Sequence, residues 1–87
     1  MEAEHRQTRS RERKAHQQIV HRLEKEIAEL EVRQTELTAE LEKSETYEKP
    51  GIALQVNRDL SAVVEDLKRL TGEWEKAASK LAELDAQ

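Results

Sequence analysis

The amino-acid sequence predicts an all-α fold, a two-helix antiparallel coiled-coil hairpin, and three observations predict it. Apolar residues recur at alternating spacings of three and four along two long segments. One short stretch holding the only proline separates the segments. The composition is that of helices sharing a narrow seam: of 87 residues, 39% are charged and 36% hydrophobic, with no Phe, one Trp and one Tyr, too little apolar bulk for a broad core. Glu, Lys, Leu, Arg and Ala are strong helix formers, and two glycines with one proline leave room for one major turn.

The first helix is expected over 15–44. Its seam reads Val20, Leu23, Ile27, Leu30, Gln34, Leu37 and Leu41. The turn is expected at 45–51, because Pro50 removes a backbone donor and restricts Lys49 away from the helical region. The second helix is expected over 52–85, with Val56, Leu60, Val63, Leu67, Leu70, Trp74, Ala77, Leu81 and Leu84 on its seam. Folding the chain so that Leu41 faces Val56 brings Leu37 opposite Leu60, Gln34 opposite Val63, Leu23 opposite Trp74 and Arg13 opposite Leu84. Every a position then meets a d position. Roughly thirty residues per helix, rising ~1.5 Å each, give an arm of about 45 Å. Residues 1–14 are expected as a basic stretch, either a frayed linker or an extension of the helix.

Charge does not select the register. Arg33 falls near Asp66, but Glu26 falls near Glu73 and Glu40 near Asp59. Exposed pairs are each worth less than ~1 kcal/mol, so the apolar seam decides. Within single helices, Glu29–Arg33 and Glu65–Arg69 stand at the favourable i,i+4 spacing. Gln34 has two readings, a tolerated seam residue reaching for solvent or an amide that disfavours slipped pairings. Trp74 is read as a core aromatic. Tyr47 is expected to cap the open end of the seam, with a partner contact as the alternative.

Several chemistries are not expected. There is no cysteine, hence no disulfide and no thiolate metal site. His16 and His21 are five residues apart, which points them in different directions, and His5 stands farther off, so a metal site is not expected. Gly51 and Gly72 are too distant from each other to form a phosphate-cradling loop. The carboxylates read as solvated helix faces, and no cofactor or enzymatic activity is expected. Without a membrane span or signal, a cytoplasmic address is the expectation.

The net charge of −4 hides a positive amino-terminal end. Residues 1–18 hold five basic side chains, Arg6, Arg9, Arg11, Arg13 and Lys14, against three acidic ones. Such a cluster suits contact with phosphates through counterion release, the alternative being a solvated linker. With no interleaved aromatics, base stacking is not expected.

The stretch from Leu23 to Glu31 (LEKEIAELE), the segment Leu41 to Pro50 with its Tyr47 and Pro50, and Gly72-Glu73-Trp74-Glu75 together resemble the carboxy-terminal coiled-coil domain of ABC-F ATPases. The resemblance covers roughly residues 12–84. It implies a helical hairpin that follows the second ATPase domain, and a nucleic-acid- or ribosome-directed accessory arm of a translation-related ATPase. DNA binding is associated with some members. It also places Tyr47, Lys49 and Pro50 at the hairpin tip, Trp74 in the seam, and the basic run at the linker leaving the ATPase core. The Ser-Tyr-Lys-Glu type of segment found before the hairpin in many members is missing, and so are the ATPase domains. The chain is therefore expected to be a fragment or a stand-alone relative that does not hydrolyse ATP.

The leading expectation is thus a monomeric, non-catalytic hairpin with DNA or ribosomal RNA as partner and ATPase domains in the same or a parent chain. The rival is a structural coiled coil that self-associates or scaffolds a protein, using the room beside the seam at Val64 and Ala78.

Overall fold

The computed structural model describes residues 2–86, with side chains from Arg6 onward, so the His5 side chain lies outside the described residues. Helix α1 spans Glu2–Glu42, a 3-10 turn spans Ser44–Tyr47, and helix α2 spans Ile52–Ala86. The helices pack against each other along their length into a rod of 70 × 15 × 14 Å. The rod is longer than the expected arm because α1 runs unbroken through residues 2–14, adding nearly four turns. Among the described residues, no helix is long and apolar enough to cross a membrane.

The seam follows the heptads. Leu37, Val56 and Val63 form a buried cluster, with Leu30, Leu41, Leu60 and Leu67 packed against it. Leu23, at 2% exposure, is the most deeply buried apolar side chain, and Val20, Leu70 and Leu84 are buried as well. Ile27, Trp74, Ala77 and Leu81 are half-buried, as a two-helix seam leaves one side of many layers open to water. Trp74 carries a buried indole Nε1–H with no acceptor. An ion pair from Arg13 Nη1 to Asp85 Oδ1, 3.5 Å, joins the helices one residue from the expected facing of Arg13 and Leu84.

Surface charge is arranged differently from the expectation. Arg33 pairs with Glu36 at 3.6 Å, and Asp66 with Arg69 at 3.9 Å, so no cross-helix bridge joins Arg33 to Asp66. The Glu29–Arg33 and Glu65–Arg69 pairs do not form either. Glu65 instead meets Lys68, and Arg69 also reaches Glu73. A local partner three or four residues away costs less side-chain entropy to hold than one on the other helix. The same logic relieves the like-charged facings. Lys43 holds Glu40 at 3.3 Å, Gln55 donates to Asp59 at 2.8 Å, and Arg69 holds Glu73 at 3.2 Å.

Candidate nucleic-acid interface

The tip is built by side chains that finish α1. The helix ends at Glu42, two residues before the expected 44, because Lys43 turns extended (φ −82°, ψ 130°) and the chain tightens into the 3-10 turn. The last carbonyls of a helix lack partners in the following turn. Here the Thr46 hydroxyl donates to the Glu40 carbonyl and the Tyr47 hydroxyl to the Leu41 carbonyl at 2.6 Å. Thr46 is 2% exposed, whereas Tyr47 is 60% exposed. The Tyr47 ring therefore does not cover the seam, as expected of it; it leans outward from its hydroxyl anchor, and the buried residue at this end is Thr46. Sequence reasoning passed Thr46 over. The signal was a Thr-Tyr pair just past the helix end, where side-chain hydroxyls can replace backbone donors.

Lys49 and Pro50 are both exposed at the tip. The Ile52 amide donates to the Lys49 carbonyl at 3.4 Å, with Pro50 and Gly51 at the central positions and Gly51 at φ +87°. That is the signature of a type II turn, whose third position strongly favours glycine. The Gly51 carbonyl then accepts from the Gln55 amide at 3.0 Å and starts α2.

At the opposite end, the helix divides the five basic side chains between two faces. Arg6, Arg9 and Arg13 extend the a/d spacing of the α1 seam toward its start and line one pocket with Ser10, Leu84 and Asp85. Arg11 and Lys14 fall at f and b positions on the outward face, both exposed. The sequence cluster is thus two half-sites, one beside an acidic residue of α2 and one facing solvent.

Other candidates resolve into structural roles. The half-buried His16 donates its Nδ1–H to the Glu12 carbonyl at 2.9 Å, and His21 lies 3.8 Å from Glu24. Among the described residues, no group of three or more His, Cys, Asp or Glu is placed to hold a metal ion. Gln34 is half-buried and lines a groove with Val64, Leu67, Lys68, Thr71 and Gly72.

With two long helices, an aromatic tip and a basic open end in place, comparison with known proteins decides the family. The family model for the ABC transporter C-terminal domain matches residues 11–79. The chain belongs to that family. The match takes in both helices and the turn, from Arg11 through Trp74 and past it. As a small helical C-terminal domain, the chain is not itself a catalytic domain. No curated protein and no solved structure matches it.

Proposed function

We propose that this ABC transporter C-terminal domain is a non-catalytic arm of an ABC-F-type ATPase that binds nucleic acid, either DNA or ribosomal RNA. The observation that carries the reading is the family match combined with a basic end on an otherwise acidic chain. Residues 1–14 lead from the ATPase domains of the parent chain into the hairpin, which places the cations Arg6, Arg9, Arg11, Arg13 and Lys14 at that entrance. A 70 Å rod anchored there carries its tip, with Tyr47, Lys49 and Pro50, far from the ATPase core. Such an arm belongs in the cytoplasm, beside its nucleic-acid partner.

Contact through Arg and Lys releases counterions from phosphates, so affinity falls steeply with salt. Titrating the hairpin with duplex DNA and with structured RNA at rising salt tests the reading. Binding at low ionic strength that weakens log-linearly with salt is the expected result. Absence of binding to either at low ionic strength would sink it. Sedimentation on the same samples should show a monomer, and a concentration-dependent dimer that ignores nucleic acid would favour a self-associating scaffold.

A further inference from the structure

The tip leaves apolar surface uncovered. Among the described residues, the large apolar side chains left exposed are Ile19, Val32, Tyr47, Ile52 and Leu54, and three of these five stand between 47 and 54. Pro50, in the same stretch, is exposed as well. Leu41 and Val56 belong to the packed seam, and the tip residues lie beyond or beside that packing. Apolar side chains exposed singly need no explanation, whereas a concentration of them marks an interaction surface.

The Tyr47 ring is held outward by the backbone it serves. Its hydroxyl donates to the Leu41 carbonyl at 2.6 Å, and the adjacent buried Thr46 donates to the Glu40 carbonyl. The Pro50-Gly51 turn follows directly. An aromatic fixed in this way loses little freedom when a partner covers it, as an interface anchor requires.

Charge states what that partner is. Residues 40–49 carry Glu40, Glu42, Glu45 and Glu48 against Lys43 and Lys49, and Lys43 is held by Glu40 at 3.3 Å. Glu42, Glu45 and Glu48 are all exposed, and among the described residues their carboxylates have no ion-pair or hydrogen-bond partner. Such a tip repels phosphates, unlike the basic end of the rod. Carboxylates around an exposed aromatic complement a cationic protein surface.

We propose that the hairpin tip is a protein-docking surface for a basic partner. Tyr47, with Pro50, Ile52 and Leu54 near it, packs against apolar side chains of a surface rich in Arg and Lys. Glu42, Glu45 and Glu48 pair with those cations. The site is independent of the nucleic-acid reading and lies at the other end of a 70 Å rod, so both partners can be held at once.

The test is an amide-resolved NMR titration of the isotope-labelled hairpin with a short peptide of alternating arginine and leucine. Saturable shifts confined to residues 43–54 are expected, and a glutamate-leucine peptide of equal length should cause none. Tyr47→Ala should weaken binding about tenfold, the loss of an anchor, while Tyr47→Phe keeps the ring and most of the affinity. Glu45→Gln/Glu48→Gln should weaken it about two- to fivefold and flatten its salt dependence. Both positions lie outside the long helices and are exposed, so circular dichroism should show an unchanged fold. Shifts spread along the acidic helix faces, or no saturable shift at the tip, overturn the proposal. So does tip binding that neither the Tyr47→Ala nor the double variant weakens. Duplex DNA in place of the peptide should leave the tip amides unmoved. If DNA moves them and the peptide does not, the tip is a nucleic-acid contact and the proposal is overturned.

Discussion

The Tyr47 hydroxyl donates to the Leu41 carbonyl at 2.6 Å while its ring stays 60% exposed, so this tip aromatic serves the backbone of α1 rather than the seam. Tyr47→Phe should therefore lose one hydrogen bond and little burial, about 1 kcal/mol in a urea melt. Thr46→Val should cost more, up to ~3 kcal/mol, because it removes a buried hydroxyl from the Glu40 carbonyl and puts a methyl in its place. Equal effects of the two substitutions would contradict this division of roles.

The two glycines should respond in opposite directions to alanine. Nothing lies within 4 Å of an added Cβ at either, so backbone conformation decides. Gly51 sits at φ +87°, and Gly51→Ala should destabilise the hairpin by about 1–2 kcal/mol. Gly72 lies inside α2, and Gly72→Ala should stabilise it by about 1 kcal/mol. Thermal melts followed at 222 nm read both. A destabilised Gly72→Ala would mean that the glycine is needed for a close approach the hairpin alone does not make.

Trp74 occupies the seam with an orphan indole donor. Trp74→Phe forfeits apolar area but also removes a buried unsatisfied N–H, a group that costs roughly 1–3 kcal/mol to leave unmade. The net change should lie within about 1 kcal/mol of zero, against a loss of ~3–5 kcal/mol for Trp74→Ala. Chemical denaturation of the three proteins separates these values, and a Phe variant as unstable as the Ala variant would refute the compensation.

Gln34 is the one polar side chain among the α1 seam positions from Val20 to Leu41, half-buried beside Val64 and Leu67. Gln34→Leu should raise the melting temperature, because an apolar side chain replaces an amide in a seam. If the amide also enforces register, the variant should show a concentration-dependent dimer in sedimentation where wild type shows a monomer. A variant that is both more stable and strictly monomeric would leave Gln34 with no role in register.

The heptads of Val20 to Leu41 and Val56 to Leu84 were enough to define the two helices, their facing and the turn between them. A period of 3.5 residues has one packing solution once Pro50 and Gly51 locate the reversal. Position along a helix was legible for the same reason. The basic cluster was legible as a count of charges but not as a site, since consecutive residues on a helix point about 100° apart. The heptad spacing already set Arg13 on the seam side, and the structure added that α1 continues through this stretch and that Arg13 pairs with Asp85.

Tertiary structure alone also decided the tip and the ion pairs. Whether Tyr47 or Thr46 is buried depends on how tightly the chain reverses after Glu42, and that follows from which hydroxyl reaches which free carbonyl. Arg33 had acids within reach on both helices and took Glu36 on its own. The apolar seam was fixed by periodicity because burial depends on a repeating pattern spread over many residues. Caps and salt bridges depend on single distances of a few ångströms, and no spacing in the sequence specifies those.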